Sequence, residues 1–264
     1  MEHTTYLFID GAYAQQIYHK AMESVFGEPG ELDPALIAKQ AGAFRTYYYD
    51  CPEDLPRVSE VDVEFDARLA EQEKFFAKIR SLRGVHLQLG TMKGLRRRSQ
   101  KEVDVLLAVD MLTHGFNRNM TRAVLVAGDL DFRPIVEALV RGGIFVEIWY
   151  EKESTADELP WAADFEYSLP WHELWLWSSR AFTAGHSLPY QSHARPGRDT
   201  TVLRDGLLDG RNVTVHRTVG VGSCLLNYES VPAQLWLQHE DHKVLERYFE
   251  KVYGEVSWTP WGGR

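Results

Sequence analysis

The stretch Val124-Leu-Val-Ala-Gly-Asp-Leu-Asp-Phe132, with Arg133-Pro134 directly behind it, decides the fold. Ala123–Ala127 is apolar throughout and too short for a helix. It also lacks the alternation of a half-exposed strand, so it predicts a strand buried on both faces. Gly128-Asp129 ends that strand. Pro134 suits the first turn of a helix that runs to Arg141, where Gly142-Gly143 closes it. A buried strand passing straight into a helix is the repeating unit of a parallel sheet.

The same unit recurs on both sides. Tyr6–Ile9 predicts a buried strand ending at Asp10-Gly11. A helix from Ala12 to Phe26 follows, with Ile17, Ala21 and Val25 at helical spacing. Asp33-Pro34 supplies a cap and a first-turn proline for a second helix closed by Gly42. Phe44–Tyr49 reads as a second strand, Val63–Leu82 as a long charged helix ended by Gly84, and Val85–Leu89 as a third strand. A helix over Lys101–Thr113, capped by Ser99, leads into the fourth strand, and Ile144–Trp149 is the fifth. This alternation predicts an α/β fold, a doubly wound, Rossmann-like parallel sheet sandwiched by helices.

Leu159–Trp177, with Trp161, Trp171, Trp175 and Trp177, is expected to complete a first domain over 1–177 with a helix and an edge strand. Residues 178–198, rich in Ser, Gly, Pro and His, read as a linker or long loop. Asp205-Gly206 and Asp209-Gly210 are turn signals beside the alternating Val213-Thr-Val-His216. His242–Tyr253 carries Val244, Leu245, Tyr248, Phe249 and Val252 on one helical stripe. Residues 178–264 are therefore expected to form a small C-terminal β-plus-helix appendage.

Composition narrows the function classes. The 264 residues are 44% hydrophobic and 25% charged, which excludes wholesale disorder. With 38 acidic against 29 basic residues the formal charge is −9, so any nucleic-acid binding must come from a local basic patch. The first residues show no basic and apolar leader, and apolar runs such as Val105–Val109 are too short to span a bilayer, so a cytoplasmic protein with no membrane partner is expected. Cys51 and Cys224 form no CxxC, which argues against a disulfide framework or a cysteine-rich zinc site. There is neither GxGxxG nor GxxxxGK[ST], so dinucleotide and P-loop chemistry are poor candidates.

In a parallel α/β sheet, ligands bind outside the carboxyl ends of the strands. Asp10 lies just past the first strand, and Asp129 and Asp131 follow the fourth. Asp104 sits near the start of the Lys101–Thr113 helix, at the end facing the same edge. Each acid also has an ordinary reading, as an Asx-turn, a helix cap or a first-turn complement to the helix dipole. Four acids together at one edge exceed what capping requires. Crowded carboxylates repel at low dielectric unless a cation lies among them, and an oxygen-only donor set suits Mg²⁺ or Mn²⁺. Asp110, six residues beyond Asp104, is about 240° round the helix and is expected either to be structural or to touch the ligands rather than the metal.

Three motifs in this order carry a family resemblance: Phe8-Ile-Asp-Gly11, then Lys101-Glu-Val-Asp-Val105 with Asp110, then Leu125-Val-Ala-Gly-Asp-Leu-Asp-Phe132 with Pro134. Together they resemble the NYN domain family, PIN-like nucleases, and within it the bacterial LabA/DUF88-type branch. The resemblance covers about Thr4 to Trp177, including Ala162-Ala-Asp-Phe165. It implies a PIN-like fold and metal-dependent cleavage of RNA phosphodiesters, leaving a 5′-phosphate and a 3′-hydroxyl. Asp10, Asp104, Asp129 and Asp131 match the family's acidic site and are the implied Mg²⁺ or Mn²⁺ ligands. Tyr13 stands where many relatives carry Asn, as a replaced contact beside the ligands, and Glu102 stands where they read Gly.

Lys93-Gly-Leu-Arg96-Arg97-Arg98-Ser-Gln-Lys101 immediately precedes Asp104. Its charges could hold the phosphates of RNA or single-stranded DNA, or form an ordinary solvated loop. The tryptophans of 161–177, with Trp258 and Trp261, either stack on bases or bury area. The leading expectation is a metal-dependent ribonuclease, and the alternative a catalytically weak RNA- or protein-binding module. A haloacid-dehalogenase-type phosphatase would want an Asp where Ala12 stands. The appendage is open to substrate selection, homo-oligomer formation or a protein partner.

Overall fold

The computed structural model describes residues 4–53, 55–90, 96–218, 222–230 and 233–260, with 96–101 described by backbone alone. It forms two compact units, one of residues up to 18 and 32–178, the other of 19–31 and 179 onward. Residues 19–31 group with the C-terminal part.

β1 (Thr5–Asp10), α1 (Gly11–Phe26, which belongs to the first unit up to Tyr18 and to the second beyond it), α2 (Pro34–Ala41), β2 (Arg45–Asp50), α3 (Asp62–Ser81) and β3 (Val85–Leu89) follow one another. Next come α4 (Arg96–Phe116), β4 (Arg122–Val126), a 3₁₀ turn at Leu130–Phe132, α5 (Arg133–Arg141), β5 (Phe145–Tyr150), β6 (Phe165–Ser168) and α6 (Trp171–Trp175). The sheet order is β3-β2-β1-β4-β5-β6, and every pairing is parallel. The chain leaves β1 towards one edge and returns beside it as β4, so the crevice between these strands' carboxyl ends is the topological switch point. Alternate residues of the central strands serve opposite helical layers, which is why the runs are apolar without alternation. Tyr6, Phe8, Tyr47, Tyr49, Ala123 and Leu125 share one core with Val103, Leu107 and Met111 of α4 and Val136 and Leu139 of α5.

Local chemistry sets the boundaries. The Asp33 side chain accepts from the Ala35 N–H to cap α2, and Gly42 closes it at φ 61°. Arg122 donates two hydrogen bonds to Glu147 on the neighbouring strand, at 2.9 and 2.6 Å, and a third to the Ala41 carbonyl. The limits of α4 differ most from the sequence reading. α4 begins at Arg96 rather than Lys101, so Arg96, Arg97, Arg98 and Ser99 lie in its first turns and not in a loop.

The second unit is the expected β-plus-helix appendage, larger than anticipated. α7 (Arg180–Gly185) and β7 (Tyr190–Gln191) occupy the segment expected to be linker, with Ser179 capping α7. β8 (Thr200–Leu208), β9 (Arg211–Thr218), β10 (Cys224–Tyr228), β11 (Leu235–His239), α8 (His242–Tyr253) and β12 (Ser257–Trp258) follow. The sheet order is β12-β8-β9-β10-β11-β7, antiparallel throughout. Asp209 and Gly210, at φ 50° and 74°, make the two-residue hairpin turn. Asp205-Gly206 is no turn but lies within β8, where Gly206 pairs with Trp258. Leu245 and Phe249 of α8 pack on Val213, Val215 and Leu226. Among the described residues no helix is long and apolar enough to cross a membrane.

Gly11 joins β1 to α1 under close approach, since a Cβ there would lie 2.5 Å from Tyr48 Cε1 and 2.6 Å from the Tyr49 carbonyl oxygen. Backbone cannot give way as a flexible side chain can. Gly11→Ala is expected to cost about 2 kcal/mol or more in urea unfolding of the full chain.

Candidate active site at the carboxyl edge of the parallel sheet

Three adjacent strands deliver a carboxylate to one edge. Asp10 ends β1, Asp50 ends β2, and Asp129 follows β4 after Ala127-Gly128. Registers fix their neighbourhood: Asp10 lies opposite Tyr49, one residue before Asp50, and Ile9 lies opposite Val126. Asp10 and Asp129 therefore stand on the two sides of the switch point.

The Asp10 carboxyl is pushed up to about 6, first by burial and then by the charges of Asp50 and Asp129, against the Tyr13 N–H that donates to Oδ1 at 3.1 Å. Asp50 is also pushed up to about 6. Burial dominates there too, with the Glu53 charge adding to it, and donations from the Cys51 N–H at 2.8 Å and Gln15 Nε2 at 2.9 Å offset only part. Asp129 is exposed, and its Oδ1 accepts from the Asp131 N–H at 2.9 Å, which builds the 3₁₀ turn into α5. Asp131 is exposed on that turn.

Asp104 is placed by helix geometry. Among the described side chains of α4, Val103 is the first in the buried stripe, and Asp104 follows it on the third turn of the helix. Gly115, eleven residues later and about 20° away in azimuth, faces α5, where a Cβ would lie 2.4 Å from Leu139 Cδ2. Asp104 thus lies on the α5-facing side of α4, half-buried, and α5 is the helix entered through Asp129 and Asp131. Asp110 faces elsewhere, accepting the Tyr49 hydroxyl at 2.9 Å. Burial first, and then Asp110, raises the Tyr49 phenol, so Asp110 is occupied with holding β2.

Tyr13 ties the edge together. Its hydroxyl accepts from the Glu151 N–H at 2.8 Å and shares a 2.8 Å hydrogen bond with Thr155 Oγ1. Its ring lies against Gly128, where a Cβ would be 2.3 Å from Tyr13 Cε2. Glu151, just past β5, keeps a buried Oε2 without a hydrogen-bond partner. Lys93 lies outside the described residues, as do the side chains of Arg96, Arg97, Arg98 and Lys101.

Among the described residues no three His, Cys, Asp or Glu side chains form a ready-made metal cage. That arrangement is compatible with Mg²⁺, which keeps several waters and is held by one or two carboxylates together with substrate phosphates. The donor chemistry fits: Asp10 and Asp129 offer only oxygen, and an intervening cation would relieve the burial and repulsion that Asp10 bears. Asp50 was missed in the sequence, although its one signal, an Asp closing an aromatic strand, is the signal by which Asp10 was found.

A family model of the NYN domain matches residues 4–169. The chain belongs to the NYN domain family. The match spans β1 to β6, so this first unit of the NYN protein is a PIN-like, nuclease-type domain. A crystal structure of a Vibrio parahaemolyticus protein of unknown function is similar at 18% identity and a TM-score of 0.45, over 64% of this chain and 93% of that one. No functionally curated protein matches.

The raised carboxyls fix a pH dependence. Between about pH 4 and 6 the folded chain holds protons on Asp10 and Asp50 that the unfolded chain has released, so stability falls as pH rises through this window. In EDTA, Asp50→Asn is expected to stabilise the protein above pH 6 by on the order of 1–3 kcal/mol, a gain that vanishes near pH 4. Urea unfolding of both proteins across pH 4–8 measures it, and a pH-independent difference would refute the assignment.

Proposed function

We propose that this NYN protein is a metal-dependent ribonuclease that hydrolyses RNA phosphodiesters at the carboxyl edge of its parallel sheet. The supporting observation is the convergence of carboxylates across the switch point, with Asp10 burdened by Asp50 and Asp129. Mg²⁺ or Mn²⁺ held by Asp10, Asp104, Asp129 and Asp131 would supply charge neutralisation at the scissile phosphate and a more acidic attacking water.

The chain's own groups perform the rest. The Tyr13 N–H orients Asp10, and the Asp131 N–H orients Asp129, so both carboxylates are held before substrate arrives. Asp50, immobilised by Gln15 and Cys51, keeps negative potential behind Asp10 and favours a cation there. Lys93, Arg96, Arg97, Arg98 and Lys101, at and before the start of α4, would draw in backbone phosphates that the net charge of −9 otherwise repels. Single-stranded DNA offers the same phosphates.

A second reading, an RNA-binding module with little turnover, is favoured by the absence of a preformed three-carboxylate cage among the described residues and by a Tyr13 hydroxyl committed to Glu151 and Thr155. End-labelled single-stranded and folded RNA and DNA, incubated with Mn²⁺, Mg²⁺ or EDTA, separate the two. Cleavage of RNA in the metal lanes is expected, with a loss of about 10³-fold in Asp129→Asn and no loss of secondary structure. Undiminished cleavage in EDTA or in that variant would overturn the mechanism, and tight RNA binding without metal-dependent turnover would favour the second reading.

A further inference from the structure

The second unit contains a cleft unrelated to the acidic edge. It has a volume of about 310 Å³ and is lined by Arg204, Lys243, Glu246, Arg247, Glu250 and Trp258. That size lies at the lower end of the range for small-molecule sites.

Three features make it a built site. First, a register shift between Val202 and Arg204 inserts Leu203 as an extra residue in β8, the device by which a strand re-aims a side chain. Arg204, just past the shift, lies over the Trp258 ring at 4.9 Å and donates to Glu246 Oε2 at 2.8 Å. Trp258 in turn rests on Gly206, where a Cβ would lie 2.8 Å from Cε3, and donates its indole N–H to Glu250. Second, Glu246 is 7% exposed, yet its Oε1 has no hydrogen-bond partner. A buried carboxyl oxygen left unpaired is costly and marks where a donor is wanted. Third, Lys243 and Arg247 stand one turn apart on α8, and among the described residues neither side chain makes an ion pair. Arg247 lies against the backbone of Gly27, at φ 83°, where a Cβ would come 2.3 Å from Nη1. Its guanidinium is placed by shape, without a counter-ion.

Glu250 also lines the cleft, with its Oε1 taken up by the Trp258 indole N–H, so three cations face two carboxylates. Among the described residues Lys243 and Arg247 are the lining cations without an ion pair, and Glu246 Oε1 is the unpaired buried acceptor. The lining nets one positive charge, and a phosphate monoester, with roughly −1.5 to −2 charges near neutral pH and three acceptor oxygens, can meet the Lys243 ammonium and the Arg247 guanidinium together. We propose that this cleft binds a phosphate monoester that also presents a hydroxyl or amino donor, the chemistry of a nucleotide. The phosphate lies against Lys243 and Arg247, and the donor reaches Glu246 Oε1. The source is either a free nucleotide or the 5′-phosphorylated end of an RNA strand.

Calorimetric titration of the full chain in EDTA, which keeps this test independent of the nuclease reading, uses inorganic phosphate, nucleoside monophosphates, and a short oligoribonucleotide with either a 5′-phosphate or a 5′-hydroxyl. A nucleoside monophosphate or the 5′-phosphorylated strand is expected to bind at least about tenfold tighter than inorganic phosphate, and the 5′-hydroxyl strand at least about tenfold weaker than its phosphorylated twin. Whichever of the two binds identifies the source. The Lys243→Ala/Arg247→Ala variant should lose about tenfold or more while remaining folded by circular dichroism, and Glu246→Gln should lose the preference over inorganic phosphate. Gly27→Ala, which substitutes no lining residue, should weaken binding by displacing the Arg247 guanidinium. No saturation by any phosphate monoester up to about 10 mM, or unchanged affinity in the double variant, overturns the proposal.

Discussion

Negative charge held close to negative charge at poor solvation is the constraint around which the parallel-sheet unit is arranged. Three parallel strands end on acids because the topology brings β2, β1 and β4 together in space, although they lie far apart along the chain. Nothing in strand packing requires acids at those ends, and their crowding opposes folding. The surroundings are correspondingly rich in donors: the Tyr13, Cys51 and Asp131 N–H groups and the Gln15 amide each meet one of these carboxylates. A sheet tuned only for stability would have apolar or amide side chains in these places. A retained cost of this kind is what the proposed site would impose.

The framework was legible because local and tertiary demands agree there. Tyr6-Leu-Phe-Ile9 is buried on both faces as its uninterrupted apolar run requires, and Asp33-Pro34 with Gly42 brackets α2 because a cap, a first-turn proline and a left-handed glycine each have one local solution. Asp50 closes β2 as Asp10 closes β1, but what sets the two side by side is the register between the strands, which no local pattern reveals. The start of α4 moved for the opposite reason. Ser99 looked like a cap, but the arginines before it are good helix formers, and the helix begins at Arg96.

The antiparallel unit shows how far short-range signals reach. Asp209-Gly210 makes the turn its composition suggests, whereas the identical dipeptide at Asp205-Gly206 lies within a strand. The difference is tertiary: Gly206 is needed where the Trp258 ring and the Val256 side chain cross β8. A dipeptide signal reports what the backbone tolerates, and the neighbour that needs the missing Cβ decides how that tolerance is used.

The contact between Tyr13 and Gly128 couples two positions that are 115 residues apart in sequence. With a full aromatic ring at the first, the second has no room for a methyl group. The Ser154 carbonyl oxygen and Thr155 Oγ1 close the same space from another side, each 2.9 Å from where that methyl would lie. A short residue at the first position would therefore not free the second. The glycine answers to backbone and hydroxyl as well as to the ring, so this loop should accept a smaller side chain at Tyr13 more readily than a methyl group at Gly128.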